Sequence, residues 1–189
     1  ITRDGKFYLF EGENSLIPQD KWLAEGKCTP LSLDLEKGCF TAEDREIRPD
    51  AVLPMIHGKN CEDGTLQGML TLMKIPVAGC GCTSSAVCMD KAFAKAIINS
   101  ETKINQAKAV VIRAEDYTPD TASSSREKCE RQLGYPVFVK PANAGSSVGV
   151  TKVKSAEDFD KAVKTALHED EKVLVEEFIL GKEIEVAVL

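Results

Sequence analysis

Apolar positions along this chain recur at two spacings, and the switches between them mark out the elements. Ile1-Thr-Arg, the turn Asp4-Gly5 and Lys6-Phe-Tyr-Leu-Phe10 read as a hairpin. A short helical stretch follows near residues 19–25, within an otherwise turn-rich first 50 residues. Asp50-Ala-Val-Leu-Pro-Met-Ile56 reads as a buried strand and Ile75-Pro-Val-Ala78 as a second. Between them, residues 65–73 place Leu66, Met69, Leu70 and Met73 at i, i+3, i+4 and i+7, one face of a helix. Strand, helix and strand over residues 50–78 predict a parallel pair with a right-handed crossover. The polar loop His57-Gly-Lys-Asn-Cys-Glu-Asp-Gly64 then falls at the carboxyl end of the first strand, where ligands collect in such sheets.

The second half of the chain alternates strand and helix patterns. Gly79-Cys-Gly-Cys82 is a turn, and Ser84 or Ser85 is placed to cap a helix running through Met89-Asp-Lys91 to about Asn99. Residues 100–107 are polar and predict a connection between two lobes. Ala109-Val-Val-Ile-Arg113 reads as a strand, residues 116–125 as a candidate for disorder, and residues 123–133 as a helix ended by Gly134. Ser155-Ala-Glu-Asp158 has capping-box form and starts a helix with Phe159, Val163, Ala166 and Leu167 on one side. Lys172-Val-Leu-Val-Glu-Glu-Phe-Ile179 reads as a strand, Gly181 as a turn, and Glu183-Ile-Glu-Val-Ala-Val-Leu189 as a final strand. A chain that opens in a hairpin and stops on an unpaired strand reads as a fragment of a longer protein.

Composition narrows the class. Of 189 residues, 43% are hydrophobic and 29% charged, the mix of a globular protein with room for one good core or two small domains. A net charge of −6 and a pI near 5.1 argue against nucleic acid or a membrane surface as partner, although a local basic site can still hold phosphate. No apolar run approaches the roughly 20 residues that span a bilayer. Seven cysteines, none spaced as C-x-x-C, read as reduced and mostly buried in a cytoplasmic protein, not as a metal site.

The candidate chemistry concentrates in Tyr135-Pro-Val-Phe-Val-Lys-Pro-Ala-Asn-Ala-Gly-Ser-Ser-Val-Gly-Val150. An apolar strand ends on Lys140, a small-residue loop follows, and a second strand begins at Gly149 or Val150. Gly145, Ser146, Ser147 and Gly149 let backbone N–H groups approach an anion, and a lysine at the strand end adds a point charge suited to phosphate. The combination reads as a nucleotide triphosphate clamp. Gly145-Ser-Ser-Val-Gly149 also matches G-x-S-x-G, but a nucleophile elbow joins a strand to a helix, and Val150-Thr-Lys-Val153 alternates like a strand. His168, beside Glu169 and Asp170 near a helix end, is the only histidine downstream and reads as a surface residue.

Four segments together resemble the D-alanine–D-alanine ligases of the ATP-grasp superfamily. They are His57-Gly-Lys-Asn-Cys-Glu-Asp-Gly-Thr-Leu-Gln-Gly68, Gly79-Cys-Gly-Cys-Thr-Ser-Ser-Ala-Val-Cys-Met-Asp-Lys91, Phe138-Val-Lys-Pro-Ala-Asn-Ala-Gly-Ser-Ser-Val-Gly149 and Val173-Leu-Val-Glu-Glu-Phe-Ile-Leu-Gly-Lys-Glu183. The His57-Gly-Lys-Asn wording leans towards the vancomycin-resistance type that joins D-alanine to D-serine. The resemblance implies an α/β fold: a partial parallel α/β domain over residues 1–88, then an ATP-grasp central domain over 89–189 with a phosphate-binding loop.

It also implies a cytoplasmic enzyme, a homodimer, acting on ATP and D-alanine, with D-alanine or D-serine as acceptor, for peptidoglycan synthesis. Lys91 and Lys140 are implied to hold ATP phosphates under a loop formed by Ser146, Ser147 and Val148. Ser146 and His57 are implied to lie around the first substrate as catalytic residues. Glu176, Phe178 and Ile179 are implied to line the adenine site, and Glu183 to bind ribose. The Mg2+ ligands, a transition-state arginine and an N-terminal glycine-rich loop are implied to lie outside these 189 residues. Singly, each residue has a plainer reading: Lys91 as a solvated helix lysine, Glu183 as an edge-strand charge, and one of the adjacent Glu176 and Glu177 as surface. Another ATP-grasp carboxylate–amine ligase and a non-catalytic nucleotide-binding module are the competing functions.

Overall fold

The structure is a computed structural model that describes every residue except Arg3, Ser146, Ser147, Val188 and Leu189. The chain divides into two compact units: residues 1–55 with 66–81, and residues 56–65 with 82–189.

In the first unit, strands β1 (Phe7–Glu11), β2 (Lys27–Asp34), β3 (Cys39–Ala42) and β4 (Arg45–Ile47) form an antiparallel meander in chain order. The short helix α1 (Trp22–Glu25) sits between β1 and β2, with Trp22 meeting Tyr8 and Phe10 edge-on. The Asp4-Gly5 turn forms, but β1 pairs with β2, Leu9 opposite Thr29, instead of folding back on Ile1. Helix α2 (Thr65–Leu72) buries Leu66 and Leu70, and Met73 just beyond it is also buried, as the spacing predicts.

The expected parallel pair narrows to a single bridge, Val52 opposite Val77, held by Val52 N–H to Pro76 O and Ala78 N–H to Val52 O. Pro54 and Pro76 lack the donors a longer ladder needs. Residues 50–56 are not a buried strand: Leu53 is 66% and Met55 77% exposed.

In the second unit, strands β5 (Ala109–Arg113), β6 (Val137–Pro141), β7 (Thr151–Val153) and β8 (Lys172–Glu177) form one antiparallel sheet in the order β5-β8-β6-β7. The β-branched runs that make these strands are buried on one face, where helices α5 (Ala122–Leu133) and α6 (Ala156–Glu169) pack. Val110, Ile112, Val137, Val139, Val153, Phe159, Val163, Val173 and Val175 are the body of this core. Gly134, at φ 68° and ψ −177°, ends α5 in a backbone conformation that favours glycine.

Four expectations are corrected here. The helix predicted to pass through Met89-Asp-Lys91 is two helices, α3 (Cys82–Met89) and α4 (Lys91–Glu101). Asp90 breaks them by turning extended and accepting the amides of Ala92 and Phe93, so Asp90 is the cap of α4 and Ser84 and Ser85 lie inside α3. Ser155 starts α6 without a side-chain cap bond. Residues 116–125 are ordered: a 3-10 turn over Ala114–Asp116 leads into α5, pinned by the Thr121 hydroxyl on Asp116 O at 2.7 Å. Residues 183–187 form no strand, because no strand lies beside them among the described residues.

The seven cysteines are free. Cys39, Cys61 and Cys129 are buried, whereas Cys80, Cys82 and Cys88 are exposed, so burial does not account for most of them as expected. No helix among the described residues is long and apolar enough to cross a membrane.

Candidate functional site

The open face of the second sheet carries the charge. On β6, Phe138 and Lys140 point to the side away from the buried Val137 and Val139, as alternation requires. On β8, Glu176 points the same way and pairs across the sheet with Phe138, which sets it diagonally beside Lys140. The Lys140 ammonium rests on Glu176 Oε2, and the Lys95 ammonium, from α4, lies 2.8 Å from Oε1 of the same carboxylate. All three side chains are largely buried, at 22%, 18% and 14% exposure for Lys140, Lys95 and Glu176. Burial works against the charged form of Glu176, but the hydrogen bonds from Lys140 and Lys95 outweigh it and hold the carboxyl below its ordinary range.

Lys91 is the first residue of α4, set there by the Asp90 cap. Its ammonium donates to Ala142 O at 3.2 Å and Ala144 O at 2.7 Å, at the start of the small-residue loop. Burial, and then the positive charge of Lys140, push its pKa down.

A second ion pair braces this arrangement. Lys172, at the start of β8, meets Asp90 and stacks 4.0 Å over the Phe93 ring. Asn143 links Asp90 to Asp170: its backbone N–H donates to Asp170 Oδ2 at 2.8 Å, and its side-chain amide N–H donates to Asp90 Oδ2 at 3.3 Å. Gly149 turns the loop back at φ 71°, with Pro141 and Glu169 so close that a Cβ there would lie 3.1–3.2 Å from them.

The histidine loop belongs to the same unit. Gly58 N–H donates to Glu62 Oε2 at 2.6 Å, Asn60 N–H to Asp63 Oδ2 at 2.8 Å, and Cys61 is buried beneath. Lys59 donates to Glu169 O at the end of α6, where a helix C-terminus favours a cation. His57 itself is 91% exposed, with Nδ1 3.6 Å from Glu62 Oε1.

The arrangement thus brings together Lys91, Lys140 and Glu176 from the sequence-based set, with Phe178 packed against Phe138 at 6.0 Å and the Lys152 ammonium 3.5 Å over the Phe178 ring. It does not bring in His57, and Val148, Ile179 and Glu183 are exposed. Ser146 and Ser147 lie outside the described residues. Sequence reasoning missed Lys95, Asp90, Asn143 and Lys172. Lys95 alone had a local signal, since it follows Lys91 by four residues on one helix face.

Two family models match the chain: D-ala D-ala ligase N-terminus over residues 1–80 and D-ala D-ala ligase C-terminus over residues 98–189. The chain belongs to the D-alanine–D-alanine ligase family. Proteins named D-alanine--D-alanine ligase are 42% identical in Caldicellulosiruptor bescii, over all of this chain and 52% of that protein, and 45% identical in Bacillus cytotoxicus, over all of this chain and 53% of that one. Among solved structures, the VanG D-Ala:D-Ser ligase from Enterococcus faecalis superposes with a TM-score of 0.81 at 38% identity, covering 96% of this chain and 52% of that one. The D-alanine-D-alanine ligase from Coxiella burnetii superposes at 0.78 and 30% identity, covering 94% of this chain and 52% of that one. The chain spans about half the length of the ligases it matches, and its fold is the α/β fold of these structures.

Proposed function

We propose that the protein to which this chain belongs is an ATP-dependent ligase that joins D-alanine to a second D-amino acid, D-alanine or D-serine, for peptidoglycan precursors. The observation that carries this reading is a set of largely buried lysines: Lys91 on the first carbonyls of the small-residue loop, and Lys140 and Lys95 sharing the Glu176 carboxylate. Such a surplus of buried positive charge is stable chiefly where an anion with several oxygens joins it. The residues fit a triphosphate: Lys140 is the next-to-last residue of its strand, just before the loop, Lys91 reaches the loop's first carbonyls, and Gly145 and Gly149 present backbone without side chains.

ATP, as substrate, would phosphorylate the carboxylate of the first D-alanine, and the amine of the second amino acid would displace phosphate from that acyl phosphate. Lys91 and Lys140 would neutralise the phosphoryl oxygens as charge builds on them. Phe138 and Phe178, tilted 50° to each other, and Lys152 form an aromatic and cationic patch suited to a purine ring. Ser146, Ser147 and Val148 would cover the phosphates, and Ser146 and His57 would border the first amino acid; Ile179 and Glu183 would meet adenine and ribose. Among the described residues no group of three or more His, Cys, Asp and Glu side chains is placed to hold a metal. The resemblance places the Mg2+ ligands outside these 189 residues, and no step here depends on them. A homodimer in the cytoplasm completes the reading.

D-serine as acceptor is favoured by the superposition on the VanG ligase, and D-alanine by the names of the sequence relatives. Phosphate release by the full-length protein with ATP and Mg2+ separates the possibilities. Release dependent on D-alanine is the expected result, and the mass of the dipeptide formed with D-serine present names the acceptor. ATP binding with no release for any D-amino acid would overturn the reading in favour of another ATP-grasp ligase or a silent nucleotide-binding module.

A further inference from the structure

We propose that Lys95 is a positioning residue that stands in as the counter-charge of Glu176 when Lys140 leaves that carboxylate for the nucleotide phosphates. This rests on the nucleotide reading above. The geometry is a carboxylate held at both oxygens by different ammoniums: Lys95 on Oε1 and Lys140 on Oε2. The two lysines come from different elements. Lys140 is the next-to-last residue of β6, just before the loop, whereas Lys95 lies in the second turn of α4.

Glu176 is 14% exposed, so water cannot replace a departing ammonium well. A buried carboxylate stripped of its only partner strongly opposes the step that strips it. With two partners on two oxygens, the transfer of Lys140 from Glu176 to phosphate leaves one intact ion pair behind. Lys91 cannot fill this role, because its ammonium is bound to Ala142 O and Ala144 O. Lys172 is held by Asp90. Lys95 touches no phosphate in this account; it acts through Glu176 on the freedom of Lys140.

The discriminating measurement compares ATP with adenosine, since only the triphosphate draws Lys140 away. In the full-length protein, binding of each is measured by calorimetry or competition for the wild type, Lys95→Met and Lys95→Gln. Lys95→Met is expected to bind ATP at least about tenfold more weakly while adenosine affinity stays within about twofold. Lys95→Gln, which keeps a polar contact but no charge, is expected to lose as much, and Lys95→Arg to recover most of it. In a Glu176→Gln background the Lys95→Met change is expected to have no further effect on ATP, because no charge remains to be compensated. Equal losses for ATP and adenosine, or a Lys95→Met effect undiminished by Glu176→Gln, would make Lys95 a structural residue and overturn the inference. Failure of the wild type to bind ATP at all would overturn the nucleotide reading itself.

Discussion

Asp90 faces Lys172 across the second unit: one carboxylate oxygen caps helix α4 through the amides of Ala92 and Phe93, and the other meets the Lys172 ammonium. Both side chains are nearly inaccessible, at 5% for Asp90 and 12% for Lys172. One residue therefore starts the helix that carries Lys91 and Lys95 and ties it to the first residue of β8.

This pair makes stability depend on acid. Burial opposes the charge on Asp90, but the hydrogen bond from Lys172 and the Phe93 amide outweigh it, so the folded pKa lies below the ordinary value of 3.8. A depressed folded pKa stabilises the fold above the unfolded pKa and loses that contribution as pH falls through the folded one. Asp90→Asn keeps a competent cap but removes the charge. It is expected to cost about 1–3 kcal/mol at pH 7 by leaving Lys172 buried without its partner. Below about pH 4 the gap to wild type should close. Melting temperatures from pH 2 to 7 test this; parallel curves for the two proteins would contradict it.

Lys140 should be separable from the fold. With Lys140→Ala, Glu176 keeps Lys95, so the melting temperature is expected to change little while ATP affinity of the full-length protein drops about tenfold or more. A large loss of melting temperature at unchanged ATP affinity would instead make Lys140 a packing residue.

Gly149 is required by its backbone. At φ 71° any side chain is strained by about 1–2 kcal/mol, and a Cβ would also press on Pro141 and Glu169. Gly149→Ala should lower stability by at least that amount and displace the end of the loop. Gly145, where the nearest atom to a Cβ is 3.9 Å away, should tolerate alanine without loss of stability. Thermal unfolding of the two variants side by side would reveal any failure of that contrast.

Much of the second unit is legible in the sequence because its strands are unbroken β-branched runs. Val137-Phe-Val and Val173-Leu-Val have few alternatives to a buried sheet, and Gly134 marks a helix end that only glycine suits. Lys140 is legible for the same reason, as a charge closing an apolar run. Lys95 shows only its four-residue spacing from Lys91; its partnership with Glu176 is a tertiary pairing that local pattern does not contain. The break at Asp90 is hidden too: Met89-Asp-Lys91 has helical composition, and only the side chain turning back on two amides stops the helix. In the first unit, β2 escapes detection because it is partly exposed and interrupted by Pro30, and β3 and β4 because they are short and stabilised by cross-strand neighbours. Leu53 and Met55 mislead in the opposite direction, being apolar residues in an extended segment with nothing packed over them among the described residues.

The strand order β5-β8-β6-β7 has a consequence for how this half of the molecule comes into being. The last strand among the described residues is an inner strand of the sheet, and β5 and β6 meet only through it. On a ribosome, β5 cannot join β6 in one sheet until residue 177 has emerged. The same late strand delivers Glu176, without which Lys95 and Lys140 face each other as like charges. Closure of the sheet and neutralisation of its lysines are thus one event, so an incompletely synthesised chain carries neither the core nor a finished pocket.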